Sequence, residues 1–253
     1  MRDEDFPWLE YDQYFPFPPE ETWEDEIVGV GGNLSPGLLL SAYVQGIFPW
    51  FNEGEEILWW SLDPRFVLYH ENLKVSRSMR KVLKSGKFTL TLDRAFRDVM
   101  TGCGKVPRKG QDGTWISSEM LEAYCSLHEL GFAHSVEVWE AGRLAGGLYG
   151  LSLGRVFFGE SMFALSANAS KTALIALSCF LQHKGFAFID CQQHTEHLGS
   201  LGACDVPRSR FLKELKEALT EGTVRGNWSL LFPGFPESPV WTGFAGQSEE
   251  APG

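Results

Sequence analysis

The run Phe186-Ala-Phe-Ile-Asp-Cys-Gln192 sets a carboxylate and an amide at the end of an apolar strand-like segment. Residues i and i+2 of a strand share a face, so alternation puts Asp190 with Gln192 and leaves Ile189 with Cys191 on the other side. A carboxylate and an amide side by side are candidates for a catalytic role. An Asp in this setting can equally pair with an arginine or cap a helix, because an unpaired buried charge is costly. The pattern alone leaves both roles open. A second acid, Glu160, lies in Phe157-Phe-Gly-Glu-Ser-Met-Phe163. Alternation gives it one face with Phe158 and Met162, and Gly159 beside it permits close approach of a backbone or ligand.

A different chemistry is suggested by Lys74, Arg77, Arg80, Lys81, Lys84 and Lys87, which fall within fourteen residues that hold no acid. On a helix Arg77, Arg80, Lys81 and Lys84 follow i, i+3, i+4, i+7 spacing and make one cationic stripe. Val75, Met79, Val82 and Leu83 supply an apolar side. A solvated face usually interleaves Glu, so the stripe points to phosphate binding. The chain has no G-x-x-x-x-G-K-[ST], H-E-x-x-H or G-x-S-x-G motif. Gly29-Val-Gly-Gly32 lacks the lysine and spacing of a phosphate loop and reads as a turn. No [RQ]-x-x-G-x-[GA] loop precedes Lys171, which counts against an acyl-CoA donor.

These residues need elements to hold them. Ser35-Pro36 predicts an N-cap and first helical residue, followed by a short helix with Leu38, Leu39 and Tyr43 on its apolar side and ended by Gly46. Ile57–Trp60 reads as a strand, and a loose domain boundary falls near Phe66 to Leu73. Asp112–Gly131 contains a helix capped by Ser117 or Ser118. Strands over His134–Trp139, Leu144–Leu151 and Val156–Phe163, joined by short glycine-bearing connections, predict an antiparallel meander. A helix from Asn168 or Ala169 to His183, a strand over Phe186–Gln192 and a helix over Pro207–Leu219 complete the core. The expected fold is α+β or α/β. A small N-terminal domain (1–66) with an irregular acidic arm precedes an acetyltransferase-like domain (67–253), whose mostly antiparallel sheet is flanked by helices. The tail from about 222 reads as irregular.

The net charge of −11 does not argue against nucleic acid, because residues 1–26, with ten acids and one arginine, carry −9 of it. The chain has 43% hydrophobic residues and no apolar run near the ~20 residues of a membrane span. Its start lacks the form of a signal peptide, which predicts a cytoplasmic protein. Five cysteines without a C-x-x-C pair suggest neither a disulfide framework nor a zinc site.

Taken in order, Gly46-Ile-Phe-Pro-Trp-Phe51, Trp59-Trp-Ser-Leu-Asp-Pro-Arg65, Gly113-Thr-Trp-Ile116, Gly146-Gly-Leu-Tyr-Gly150, Gly159-Glu-Ser-Met-Phe163, Ile189-Asp-Cys-Gln192 and Ser200-Leu-Gly-Ala203 resemble the leucyl/phenylalanyl-tRNA–protein transferase family. The resemblance spans roughly residues 28 to 219. Leu62 stands where the family usually has proline, and Ala164 where it usually has serine. The resemblance implies an aminoacyl-tRNA donor charged with Leu, Phe or Met and an acceptor protein beginning with Arg or Lys. It implies no metal and no cofactor, and a monomer is expected. Trp50 and Trp115 look like the pair that holds the terminal adenosine, with Tyr43 nearby. Leu148, Phe157, Leu174, Leu177 and Ile189 look like walls of an amino-acid pocket. Asp190 and Gln192 resemble the catalytic pair, Glu160 an orienting acid, and the stripe of Arg77, Arg80, Lys81 and Lys84 a grip on the tRNA body. The reaction implied is aminolysis of an activated ester, followed by degradation of the marked protein through the N-degron pathway.

Overall fold

The computed structural model describes residues 6–105 and 116–236. A small antiparallel sheet comes first, with β1 (Ile27–Val30), β2 (Phe48–Pro49) and β3 (Leu58–Trp60) in the order β1-β3-β2. Gly29 and Val30 therefore belong to a strand, and only Gly31 and Gly32 take the positive φ of a turn. Helix α1 (Pro36–Val44) begins at the expected proline. The Ser35 hydroxyl does not cap it, but accepts the backbone N–H of Leu9 at 3.1 Å.

That bond explains a second departure from the sequence reading. Instead of one apolar side, α1 is buried from Gly37 through Tyr43. The acidic arm is irregular but docked over the helix, with Phe6, Phe15 and Phe17 in the core and Phe6 stacked on Trp59 at 6.2 Å. Ser41 Oγ accepts the Phe15 N–H, and Gln45 bonds Phe15 and Phe17. Gly37 makes the close approach possible, since a Cβ there would lie 2.1 Å from the Glu10 carbonyl oxygen. Among the described residues, most of the arm's acids are exposed.

The large sheet has seven strands: β4 (Arg65–Tyr69), β5 (Thr89–Leu92), β6 (Ala133–Glu140), β7 (Arg143–Leu153), β8 (Val156–Ala164), β9 (Phe188–Gln192) and β10 (Cys204–Val206). Their order is β10-β4-β9-β8-β7-β6-β5. The expected meander is β6-β7-β8, β5 extends it, and the pairing of β8 with β9 is parallel. β4 occupies the segment where the sequence sets a loose boundary, and it lies inside the sheet between β9 and β10.

The helices are α2 (Arg77–Lys84), α3 (Phe96–Lys105), α4 (Ser118–Glu129), α5 (Ala169–His183), α6 (Glu196–Ser200), α7 (Arg208–Ala218) and α8 (Trp228–Leu231). Alternation along the strands feeds two apolar layers. Val67, Tyr149 and Phe158 join α1, α3, α4 and α7 on one face. Phe66, Leu148 and Phe157 join α5 and α8 on the other. Residues 223–236 are largely irregular yet anchored. Asp93 accepts His134 Nδ1–H, the Ser135 N–H and the Trp228 N–H at 2.7–2.9 Å. The His134 ring stacks on Trp228 at 3.8 Å, and burial pushes its pKa down.

Candidate active site

β8 and β9 pair over only three positions, ending at Phe158 and Asp190. Just beyond, each strand carries a bulge. On β8 the register passes from Gly159 to Ser161 and leaves Glu160 as the extra residue. On β9 it passes from Asp190 to Gln192 and leaves Cys191, while Gln192 takes φ +59°. A bulge bends its strand and shifts every later side chain by one place. The result is a cavity of about 610 Å³ between the two strands.

The bulges overturn two expectations of strict alternation. Phe158 and Met162 fall in different layers, and Met162 joins Phe157. Gln192 reaches the cavity beside Cys191, whereas Asp190 is fully buried behind the wall. Asp190 and Gln192 thus do not open onto the same space. Of the two roles left open for Asp190, pairing with an arginine is present. Arg65 Nε and Nη2 donate to its two carboxylate oxygens at 2.8 and 2.7 Å. The carboxylate also accepts the Gln192 backbone N–H at 2.9 Å.

Leu148, Phe157, Leu174, Leu177 and Ile189 all line the cavity and form its apolar floor. Phe48, Pro49 and Trp50 close one side from the small sheet. Trp60 Nε1 donates to the Trp50 carbonyl at 2.8 Å and steadies that side. Trp115 lies outside the described residues. Tyr43 is not on the wall: it is fully buried, and its hydroxyl donates to Glu160 Oε1 at 2.7 Å.

Glu160 faces the cavity and accepts several hydrogen bonds. Besides Tyr43 it accepts Gln192 Nε2–H at 2.7 Å and the Tyr124 hydroxyl at 3.3 Å, and the two tyrosine hydroxyls touch each other. Burial pushes the Glu160 pKa up to about 7, with the nearby Asp190 charge adding to it and the three donors opposing it. A carboxyl poised there can exchange a proton at neutral pH. Tyr124 escapes a sequence reading because on α4 its spacing with Met120 and Leu127 looks like ordinary core. Its hydroxyl is the only sign of another use.

The cationic stripe is real and separate from the cavity. Ser76 caps α2 by accepting the Met79 N–H at 3.2 Å, and Met79 is buried in the layer below. Arg77, Lys81 and Lys84 are exposed, while Arg80 is half-buried with Nε donating to the Val75 carbonyl.

Comparison with known proteins finds relatives over most of the chain. Residues 67–216 match the family described as leucyl/phenylalanyl-tRNA protein transferase, and residues 32–63 match its N-terminal domain. A leucyl/phenylalanyl-tRNA–protein transferase of Myxococcus xanthus is 54% identical over 220 residues, covering 87% of this chain and 94% of that protein. One of Syntrophus aciditrophicus is 54% identical over 214 residues, covering 84% and 90%. Among solved structures, L-PGS from Bacillus licheniformis aligns with a TM-score of 0.39 and 10% identity over 65% of this chain and 58% of that one.

Proposed function

We infer the activity of this cavity from one premise: the chain belongs to the leucyl/phenylalanyl-tRNA–protein transferase family. It is a tRNA-dependent aminoacyltransferase, moving leucine or phenylalanine from aminoacyl-tRNA to a protein. The observation that carries the reading is an apolar floor meeting a bonded carboxylate and amide at one edge of the cavity. We propose that the floor takes the leucyl, phenylalanyl or methionyl side chain and that Trp50, with Trp115, holds the terminal adenosine. The ester then lies beside Glu160 and Gln192. The acceptor is a protein with N-terminal Arg or Lys, whose cationic side chain suits the acidic edge.

Little power is required, because the donor ester is already activated. The neutral α-amine attacks the ester carbonyl, the new C–N bond forms and the bond to the ribose oxygen breaks. The amine's proton passes to the Glu160 carboxylate and from there to the ribose oxygen, which leaves as a hydroxyl. A free α-amine has a pKa of ~7.7–8.0, so a substantial minority is neutral at pH 7 and placement does most of the rest. Gln192 aligns the amine, and Asp190 acts on it through the Gln192 backbone. Tyr43 supports the site from behind Glu160. The exposed stripe of α2 takes phosphates of the tRNA body. We further propose a cytoplasmic monomer that marks proteins for the N-degron pathway. Among the described residues, no helix is long and apolar enough to cross a membrane.

The test is incubation with labelled phenylalanyl-tRNA and peptides that differ only in their first residue. Label should move to Arg- and Lys-initiated peptides and not to Ala- or Asp-initiated ones. Equal labelling of all peptides would overturn the acceptor assignment, and no labelling of any would overturn the donor.

A further inference from the structure

Arg65 opens β4, and its side chain is wholly shielded from solvent. The bidentate pair with Asp190 offsets its charge but leaves other N–H groups to satisfy. One of them, on Nη1, donates to the Gly46 carbonyl at 3.2 Å. The rings of Phe48 and Phe211 each lie 4.7 Å from the guanidinium carbon. Three of these contacts lead to the cavity. Gly46 and Phe48 precede Trp50 by four and two residues. Asp190 holds the backbone of Gln192, which sits at a φ of +59° that an L-residue adopts only under constraint.

A pair of apolar side chains filling the same volume is often as stable as a buried ion pair or more so. Apolar contacts are non-directional, however, and do not fix a distance. Five planar N–H donors do. We propose that Arg65 is a positioning residue for aminoacyl transfer. Its guanidinium sets the Trp50 wall against the Gln192 amide, so that adenosine and ester are held in one register. This rests on the transferase reading given above.

Arg65→Lys keeps a charge for Asp190 but loses the bidentate geometry and the reach to Gly46. It is assayed at a temperature where circular dichroism shows it fully folded, beside the wild-type protein. Single-turnover rate and donor affinity should both fall by at least tenfold. The affinity loss from Trp50→Ala should shrink in the Arg65→Lys background, because one wall cannot be displaced twice. Backbone hydrogen exchange should rise in 46–50 and in 191–193 together. A wild-type protein that transfers nothing defeats the transferase reading, while the exchange measurement still judges this one. A folded Arg65→Lys protein with wild-type rate, additive loss with Trp50→Ala and exchange altered on one wall only overturns the proposal. Should Arg65→Lys not fold, the double variant Arg65→Met/Asp190→Leu replaces the pair by apolar volume. It should be stable yet slow, and full activity in it would overturn the proposal equally.

Discussion

Replacing Glu160 by Gln should make the protein more resistant to unfolding at pH 8 and a far poorer catalyst. The Glu160 carboxyl has an ordinary pKa of 4.5 and is pushed up to about 7 by burial, with the Asp190 charge contributing. Below pH 4.5 it is protonated in both folded and unfolded chains. Between 4.5 and about 7 the unfolded chain ionises first, so the folded state binds more protons and stability falls as pH rises. Each pK unit is worth roughly 1.4 kcal/mol, so wild type should lose about 3 kcal/mol across that window relative to a Gln that cannot ionise. Urea unfolding of both proteins between pH 4 and 8.5 reads this contribution, because groups away from Glu160 titrate alike in the two. Activity should move the other way. The wild-type single-turnover rate should rise through a midpoint near 7, where Glu160 becomes able to take a proton. In Glu160→Gln that inflection should vanish, leaving only the titration of the acceptor amine at ~7.7–8.0 and a rate lower by ~10²–10⁴-fold. A stability difference that stays flat from pH 4.5 to 7.5 would refute the raised pKa. A Gln variant as fast as wild type would refute the proton transfer.

Replacing Arg77, Arg80, Lys81 and Lys84 together by Ala should weaken tRNA binding and flatten its log–log salt dependence, each lost contact contributing about 0.7–0.9 to the slope; an unchanged slope would make the stripe an ordinary solvated surface. Leu174→Trp fills the floor of the cavity and should reduce phenylalanine transfer more than tRNA binding, whereas equal losses in both would place the donor side chain elsewhere. Asp190→Asn leaves the buried Arg65 charge poorly compensated and should cost about 3–5 kcal/mol of stability, read as a lowered melting temperature beside the single-turnover rate. An unshifted melting temperature would show that the pair is not what the fold depends on. Gly37→Ala drives a methyl group into the Glu10 carbonyl and should undock the arm, costing about 1–3 kcal/mol and opening Phe6–Pro19 to limited proteolysis. A cleavage pattern like that of wild type would show that the arm accommodates the methyl.

What the sequence reveals here is what repeats along it. The meander, α5 and the strand under Asp190 are long enough for their periodicity to be read. All five residues expected to wall an amino-acid pocket do line one cavity. Shorter elements escape: β1, β5 and β10 have three or four residues each, too few for alternation to show. The bulges escape for a different reason. An extra residue is visible only against a partner strand, so Phe158–Met162 and Asp190–Gln192 look regular in one dimension and are not in three. Arg65 is likewise silent, because its partner lies 125 positions away and nothing local distinguishes it from a surface arginine beside a turn. The arm misleads through composition, since its acids mask three phenylalanines that belong to the core.

The place of β4 inside the large sheet also bears on how the chain is made. Both of its neighbours, β9 and β10, are encoded far downstream. β4 leaves the ribosome roughly 120 residues ahead of β9, and at about 5–20 residues per second it waits roughly 6–24 s for its first partner. Through that interval an apolar strand stands with both hydrogen-bonding edges open, and Arg65 has no carboxylate to meet. The nascent small sheet can close early, because its strands and α1 all lie within the first sixty residues. The large sheet cannot be completed until nearly the whole polypeptide has emerged, so an interrupted translation product should be a substrate for chaperones or proteases rather than a partially active enzyme.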